Sequence, residues 1–502
     1  MTAPSGGADP RPGLDRRSFL RLSALGIGAA AVVPLSGCGL FDRRETLDTV
    51  GQVDFRHRLR IPPLAKGTRE GGTTTFALDA RAGSTAIVPG GDTETWGLNG
   101  TLLGPTLRAR RGESVRVDVT NSLDEPTSLH WHGMHLPAAA DGGPHQMIDP
   151  GDTWSPAWEV AQPAATLWYH PHPHGQTERH VYRGLSGLFI LDDDEESALA
   201  LPRDYGVDDI PLVVQDKTFD DHGQLVETSR HDNGMLGDTI LINGTAAAVL
   251  DVTARLTRLR VLNASTARSY AFGFSDDREF TMIASDGGLL RAPARLTRIT
   301  LTPGERAEVV VEMDPGETTT LRSSPQNLGL AGSLSRSTGA DDTLDILLLR
   351  AGTALRPSAD LPDHLATIRP LTAGSASRTR RFELGDNRIN GRSMDMGRID
   401  EVVTVDATEV WEVRNGHTRP HNFHVHDVQF QVVAVDGKAP PPELAGWKDT
   451  VYVPPGVRLT LVMRFADYTD PHLPYMYHCH LLWHEDHGMM GQFVVTEPGQ
   501  HP

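Results

Sequence analysis

One short pattern occurs three times along the chain, and this repetition is the strongest constraint on its fold. Apolar and polar residues alternate through 115–121, 257–263 and 410–415, and each run ends at an asparagine. Alternation with a period of two is typical of a strand that buries one face. Because a second strand candidate follows each run, we interpret the three copies as three domains of one type.

A Pro-Gly turn also recurs later in each copy. The three turns lie at 150–151, 303–304 and 455–456. Short strands separated by turn residues are typical of Greek-key β-sandwiches. The length of 502 residues agrees with this interpretation, since it suggests about three domains of about 150 residues. The sequence therefore predicts an all-β chain of three consecutive sandwich domains.

Histidines are concentrated in the first and third copies. Of 22 histidines, 17 lie in 130–180 or 417–487, whereas the middle copy has Ser-Tyr-Ala-Phe at 269–272. The spacing His-x-His recurs at four places, one of which extends to His174, where random placement predicts roughly one pair. These pairs are His130/His132, His170/His172, His424/His426 and His478/His480. Eight neutral imidazoles suit a cluster of several copper ions, and zinc would need far fewer ligands.

The last histidine pair flanks Cys479, one of only two cysteines in the chain. A thiolate, the imidazole of His484 and the thioether of Met489 are soft and borderline ligands of a blue copper site. On an extended strand, His478 and His480 point away from the face that carries Cys479, so we expect them to serve a second metal centre. The alternative is a buried free thiol beside surface histidines, which would require no ordered methionine nearby.

Four motifs carry a resemblance to a known family. They are His130–Gly133, Trp168–His172, His421–His426 and the run from His478 to Met489. In this order they resemble the multicopper oxidases, which include laccases, bilirubin oxidases and bacterial cuprous oxidases. The resemblance covers about residues 50–497. It implies that the three domains are cupredoxin-like and that the middle one holds no copper.

The resemblance also implies four copper ions with assigned ligands. The type 1 copper ligands would be His421, Cys479 and His484, with Met489 as axial ligand in preference to Met490. The type 2 copper ligands would be His130 and His424. The two type 3 copper ions would be held by His132, His170 and His480, and by His172, His426 and His478. His135 and His174 have no ligand role in this pattern, and we expect them to be supporting or structural.

Two carboxylates match positions of proton-relay acids in bacterial members of the family. Glu485 follows the ligand candidate His484, and Asp141 comes shortly after His132. Reduction of O2 to water consumes protons as well as electrons, so a buried cluster needs a proton route. The alternatives are a turn residue for Asp141, which precedes two glycines, and a solvated acid for Glu485.

Changes in composition predict the domain limits. An acidic run lies at 192–196, and a stretch rich in proline, serine and alanine lies at 357–377. We therefore predict domains at 48–196, 205–356 and 378–498. Copper ions shared between the first and third domains would join the two ends of the chain.

The first 38 residues resemble a twin-arginine export signal of a lipoprotein. Arg16-Arg17 precedes an apolar stretch at 22–35, and the segment ends in a lipobox-like Leu-Ser-Gly-Cys at 35–38. We expect a lipid on Cys38 and a location on the outer face of the bacterial cytoplasmic membrane. The alternatives are a soluble periplasmic or extracellular protein with an incidental cysteine, and a retained anchor, for which the apolar run is too short.

The expected activity is oxidation of a small-molecule reductant by O2. A formal net charge of −18 argues against nucleic acid or anionic lipid as a partner. Residues 325–393 contain no methionine, and Arg419 lies near His421, so we expect phenolic or other aromatic substrates rather than Cu(I). The alternatives are a cuprous or other metal oxidase and a non-catalytic cupredoxin scaffold or copper-storage protein. By resemblance, we expect a monomer.

Overall fold

The computed structural model describes residues 44–229 and 231–502. The predicted export signal and Cys38 lie outside these residues. Within the described part of the chain, no helix has both the length and the apolar character needed to cross a bilayer. Strands dominate, and they form two sheets in each of three successive regions, which confirms the predicted all-β fold.

Domain 1 is a sandwich of two sheets. The strands of the first part of the chain are β1 (His57–Arg58), β2 (Thr68–Glu70), β3 (Thr73–Thr85), β4 (Thr93–Leu98), β5 (Leu107–Arg110), β6 (Ser114–Asn121), β7 (His130–His132), β8 (Thr153–Trp154), β9 (Ala157–Glu159), β10 (Ala165–His170) and β11 (Gly187–Asp192). One sheet has the order β2-β3-β6-β8, with β4 on β3 and β9 on β6, and the other has the order β5-β11-β10-β7. Two short helices, α1 (Thr177–Arg183) and α2 (Asp194–Ser197), complete it.

Domain 2 contains a six-stranded and a seven-stranded sheet, which enclose a continuous apolar core. Its strands are β12 (Asp209–Lys217), β13 (Thr239–Ile242), β14 (Thr245–Ala246), β15 (Ala248–Ala254), β16 (Leu256–Asn263), β17 (Tyr270–Phe274), β18 (Phe280–Ser285), β19 (Gly288–Leu296), β20 (Arg298–Leu301), β21 (Arg306–Glu312), β22 (Thr318–Ser323) and β23 (Leu344–Arg356), with helix α3 (Ser333–Ser337). The sheet orders are β1-β15-β23-β22-β17-β20 and β14-β13-β12-β16-β21-β18-β19.

Domain 3 is again a two-sheet sandwich, packed around buried Trp411. Its strands are β24 (Arg378–Gly385), β25 (Arg388–Ile389), β26 (Glu401–Thr404), β27 (Thr408–Asn415), β28 (His421–Val425), β29 (Phe430–Val435), β30 (Thr450–Val453), β31 (Arg458–Arg464), β32 (Asp470–His478) and β33 (Met490–Thr496), and helix α4 spans Leu482–Asp486. The sheet orders are β25-β24-β27-β31-β29 and β26-β33-β32-β28-β30.

The asparagine that ends each repeated run has the same buried role in all three domains. Asn121, Asn263 and Asn415 end β6, β16 and β27. Each side-chain amide donates to two backbone carbonyl groups, and each side-chain oxygen accepts from the backbone N–H two residues later. The carbonyl of each asparagine accepts from the glycine of the Pro-Gly turn, namely Gly151, Gly304 and Gly456. In each domain, the repeated asparagine therefore connects the end of a strand to the Pro-Gly turn through hydrogen bonds.

The start of the described chain packs on domain 2, although residue 48 was predicted to begin domain 1. Asp48 forms a bridge with Thr343, and β1 pairs in parallel with Ala248–Val249 of β15. The Arg44 side chain forms an ion pair with Asp342. Strand β15 leaves an edge that β1 covers, which satisfies backbone groups that would otherwise remain unpaired. Composition carries no signal for this long-range pairing.

Candidate metal centre

Buried histidines of domains 1 and 3 meet between the two domains. In domain 1, β7 and β10 are neighbours and His130 lies opposite His170. In domain 3, β28 and β32 are neighbours and His424 lies opposite His478. Residues opposite each other on antiparallel strands share one face, so each domain presents a histidine face to the other. The ring nitrogens form groups within 4.8 Å: His132, His170 and His480; His172, His426 and His478; and His130, His132 and His424.

The first two groups have the ligand sets expected for the type 3 copper ions. His170 Nε2 lies 3.3 Å from His132 Nδ1 and 3.4 Å from His480 Nε2. In the second group, the Nε2 atoms of His172 and His426 each lie 3.2 Å from His478 Nε2. Three nitrogens that converge at such distances can share one metal ion.

His130 and His424 are the expected type 2 ligands, and each forms a hydrogen bond through one ring nitrogen and leaves the other without a partner among the described residues. His130 Nδ1 donates to the carbonyl of Asp141 at 2.8 Å, and His424 Nδ1 donates to that of Asp449 at 2.9 Å. These bonds fix the tautomer that leaves Nε2 as the electron-pair donor. Both Nε2 atoms are buried and have no hydrogen-bond partner among the described residues. Buried, unpaired nitrogens of this kind fit a metal ion.

Cys479 forms a separate group with His421 and His484. Its Sγ lies 3.7 Å from His421 Nδ1 and 3.5 Å from His484 Nδ1, and the two Nδ1 atoms lie 3.3 Å apart. All three residues are buried. Burial raises the pKa of the Cys479 thiol to about 12. Thiolate binding to copper would therefore displace a proton.

The strand register distinguishes Met489 from Met490 as candidates for the axial ligand. Met490 lies opposite His478 across β32 and β33, so its side chain shares the face of the histidine cluster. Met489 precedes the strand and belongs to the same buried apolar cluster as Cys479. The Cys479 N–H also donates to the Met489 carbonyl at 3.1 Å. This placement agrees with Met489 as the axial candidate.

Adjacent residues connect the thiol group to the histidine cluster. The side chains of His478 and His480 belong to the two type 3 groups, whereas the thiol between them faces His421 and His484. Strand β32 ends at His478, yet the alternation of side chains continues through the next two residues. Asn422 Oδ1 accepts from the His480 N–H at 2.6 Å and lies 3.6 Å from Cys479 Sγ.

The two predicted proton-relay carboxylates lie beside the cluster. Asp141 Oδ2 accepts from His426 Nδ1 at 2.8 Å. The Glu485 carboxylate lies 3.1 Å from His478 Nδ1 and 3.4 Å from His172 Nδ1. Both carboxylates are buried. Glu485 is therefore not the solvated acid that was the alternative interpretation of this residue.

Burial lowers the pKa of the clustered imidazoles. The pKa falls to about 4 for His172, about 3 for His480 and about 4 for His484. It also falls well below its ordinary value for His132, His170, His421, His424 and His426. Rings with a pKa this low are neutral at pH 7, which is the state that binds metal.

Histidines expected to have no ligand role lie elsewhere. His174 is exposed. His135 joins domain 1 to domain 3, because its two ring nitrogens lie 2.7 Å from Asp427 Oδ1 and 3.0 Å from Asp467 Oδ2. Burial lowers the pKa of His135, but the two aspartates outweigh it and raise the pKa to about 9.

A segment of domain 2 covers the type 1 group. His484 Nε2 donates to the Asp232 carbonyl at 2.9 Å. The Asp232 carboxylate forms an ion pair with Arg419 at 2.7 Å, and Arg419 also contacts Asn233 Oδ1 at 3.3 Å. The charge of Arg419, which was expected to repel cations, is thus offset by Asp232. The sequence analysis missed the pairing of Asp232 with Arg419, because it located site residues by their histidine motifs and domain 2 has none.

Asp449 and Arg306 are further contacts of the cluster that the sequence did not reveal. Asp449 Oδ1 lies 3.0 Å from His132 Nε2 and 2.7 Å from Arg306 Nη1. Neither residue belongs to a histidine motif. Lys448 and Asp449, two charged residues just before β30, are both buried, which only the structure reveals.

Three cupredoxin-like sandwiches with a cysteine group and an interdomain histidine cluster define the class of copper-dependent oxidoreductases known as multicopper oxidases. The chain belongs to this family, since profiles described as multicopper oxidase match residues 81–196, 208–322 and 360–499. The chain is similar to the cell division protein FtsP of Dickeya dadantii, with 36% identity over 491 residues that cover 96% of this chain and 98% of the relative.

Two further similarities support the family. The multicopper oxidase mco of Staphylococcus haemolyticus is 34% identical over 472 residues, which cover 91% of this chain and 98% of that protein. The crystal structure of a laccase from Pediococcus acidilactici superposes with a TM-score of 0.80 at 36% identity, covering 88% of this chain and 94% of the laccase.

Proposed function

We propose that the protein is a laccase-like oxidase that oxidises phenolic or other aromatic reductants and reduces O2 to water with four copper ions. The observation that carries this proposal is the complete donor set, in which the cysteine group and the histidine cluster are joined through Cys479. Bound copper would supply one-electron oxidation at the cysteine group and four-electron reduction of O2 at the cluster.

The residues around the cysteine group support an organic reductant. The Asp232 carbonyl, the Arg419 guanidinium and the Asn233 amide lie on its outer side and offer oxygen and nitrogen atoms. Cu(I) prefers thioether and thiolate ligands, so these groups favour a substrate that accepts and donates hydrogen bonds. The hydrogen bond from His484 to the Asp232 carbonyl orients the ring at which electrons would enter.

We assign proton delivery to Glu485 and Asp141. Each carboxylate is buried against histidines of the cluster, and the two lie beside different rings. A carboxylate within hydrogen-bond distance of the reacting region can hold or pass a proton. The hydrogen bond of Asp141 to His426 also keeps that ring in its binding tautomer.

Two other functions remain as alternatives. A cuprous or metal oxidase is favoured by one feature, the Asp232 carboxylate, which lies near the type 1 group and could attract a cation. A non-catalytic scaffold or copper-storage protein is suggested by the similarity to a protein named for cell division. The presence of both Cys479 and Met489 argues against a scaffold or storage protein, because copper storage needs no redox-tuned site.

We also propose that the protein is a monomer exported by the twin-arginine route and tethered through a lipid on Cys38. The sequence at 16–38 supports the export and the tether, and the monomeric state rests on the resemblance to the family. Metabolic labelling with a fatty acid would test the tether. Label that persists after Cys38→Ala would refute it.

Steady-state kinetics would test the substrate. Specificity constants should be measured for a phenol, a bilirubin-like tetrapyrrole and Cu(I), without added Cu(II). We expect the organic substrates to be preferred. A specificity constant for Cu(I) far above that of any phenol, or organic oxidation only with added copper, would favour the metal oxidase. A copper-loaded protein inactive on all three would favour the scaffold.

A further inference from the structure

A guanidinium of domain 2 lies where all three domains meet. Arg306 begins β21, and its side chain is fully buried. Its Nε donates to the Thr166 carbonyl of domain 1 at 3.0 Å, Nη1 donates to the Gly304 carbonyl at 3.1 Å, and Nη2 donates to the Asp286 carbonyl at 2.9 Å. The two remaining N–H groups bind the Asp449 carboxylate of domain 3, each at 2.7 Å. All five donors of the guanidinium are thus used.

Asp449 in turn contacts two histidines of the cluster. Its Oδ1 accepts from His132 Nε2 at 3.0 Å, and its backbone carbonyl accepts from His424 Nδ1 at 2.9 Å. The bond to His132 makes Nε2 the protonated nitrogen, so Nδ1 is left for the metal. This agrees with the position of His132 Nδ1 beside His170.

The backbone packs closely against this ion pair. Gly133 follows His132 with φ of +84°, and a Cβ added there would lie 2.5 Å from Asp449 Oδ2 and 2.7 Å from Arg306 Nη2. A Cβ added at Gly304 would lie 3.1 Å from the His480 ring. The turn that precedes Arg306 is therefore in contact with the cluster. The ion pair has little room to move without moving a histidine.

We propose that Arg306 is a positioning residue for the trinuclear copper cluster, acting through Asp449 on His132. The proposal rests on the copper cluster of the proposed function, and it holds whichever reductant is oxidised. A bidentate arginine holds both oxygens of the carboxylate in one plane, which a lysine cannot do. Domain 2, whose residues belong to none of the ligand groups in the described chain, would thus determine the geometry of a site between its neighbours.

The test compares Arg306→Lys and Asp449→Asn with the control Arg258→Lys. Arg258 is also buried in domain 2 and pairs with Glu308 and Glu196, neither of which forms a hydrogen bond or ion pair with a cluster histidine among the described residues. Blue absorbance of the type 1 copper counts the correctly folded molecules. The cluster is then measured per blue centre, from copper content, the type 2 electron paramagnetic resonance signal and the near-ultraviolet absorption of the type 3 pair.

We expect Arg306→Lys and Asp449→Asn to retain copper in the cluster roughly 10–100-fold less tightly against a chelator, as for other partners of metal ligands. Arg258→Lys should retain it as the wild type does. The double variant should be no worse than either single variant, because both act through one contact. If Arg306→Lys does not fold, unchanged cluster copper in Asp449→Asn would still overturn the proposal, since this variant preserves the shape of the side chain.

Three results would contradict the positioning role of Arg306 or the proposed function. Cluster copper that is unchanged in either Arg306→Lys or Asp449→Asn would overturn the positioning role. An equal loss in Arg258→Lys would also overturn it, since any buried ion pair of domain 2 would then have the same effect. A wild-type protein that binds no copper would instead refute the proposed function itself.

Discussion

The cysteine group and the histidine cluster differ in the number of domains that build them. His421, Cys479, His484 and Met489 all belong to domain 3, whereas the cluster takes histidines from domains 1 and 3. The carboxylate that orients His132 is held by Arg306 of domain 2. The ligand candidates of the type 1 group thus come from one sandwich, with Asp232 of domain 2 packed against them, whereas the cluster and its partners come from all three. Substitutions should therefore perturb one without the other.

The largest expected effect separates the two centres at Cys479. Cys479→Ser removes the thiolate that would connect the type 1 copper to the backbone path toward His478 and His480. We expect the blue colour and turnover to be abolished while cluster copper remains largely bound, because no cluster ligand is lost. Absorption and copper analysis measure both. Full blue absorbance in this variant would contradict the type 1 assignment.

The next effect concerns the cluster alone. Glu485→Gln and Asp141→Asn should leave reduction of the type 1 copper fast but slow reoxidation by O2 by roughly 10–100-fold, with a larger loss at high pH, where protons are scarce. Single-turnover stopped-flow measurements separate the two half-reactions. Glu443→Gln, at a partly exposed position of domain 3, is the control. Reoxidation at the wild-type rate in both variants would exclude these acids from proton delivery.

A third effect tests the packing of domain 1 on domain 3. The pKa of His135 is raised from 6.5 to about 9, so its ion pairs with Asp427 and Asp467 stabilise the fold fully below about pH 6.5. This stabilisation is lost as the pH rises through about 9. We expect His135→Gln to lower the unfolding free energy by about 1–3 kcal/mol at pH 6.

The same substitution should have little effect at pH 10, where the wild-type ring is also neutral. Thermal unfolding at both pH values measures this difference. His174→Gln is the control, because His174 is exposed. A destabilisation by His135→Gln that does not change with pH would contradict the ion-pair interpretation.

The smallest effect concerns the surface of the type 1 group. Arg419 and Asp232 are partly exposed, and such pairs are worth about 1 kcal/mol or less, so substrate effects should stay within about 5-fold. Arg419→Ala should weaken turnover of anionic phenols more than that of neutral phenols. Asp232→Asn should do the reverse, because it leaves the Arg419 charge uncompensated. Identical changes for both substrate types in both variants would show that charge does not select the substrate.

Much of the site follows from local pattern. The alternation around Cys479 predicted that its neighbours face a different centre, and the structure places their side chains in the two type 3 groups. The runs that end at Asn121, Asn263 and Asn415 predicted three equivalent strands. Period-two patterns of this kind need only neighbouring residues, because they record which face of a strand is buried. Residue-type chemistry likewise separates soft sulfur ligands from imidazoles.

The tertiary structure alone decided which distant groups meet. Asp449 contacts His132 across more than 300 positions of sequence, Arg306 contacts Asp449 from a third domain, and Asp232 pairs with Arg419. Strand β1 completes a sheet of domain 2 although it precedes domain 1. No periodicity encodes such contacts, since each depends on the orientation of packed sandwiches and each involves a residue type common on any surface. The sequence by itself determined the candidate ligands and the repeated domain, and the packing of the three domains determined the surroundings of those candidate ligands.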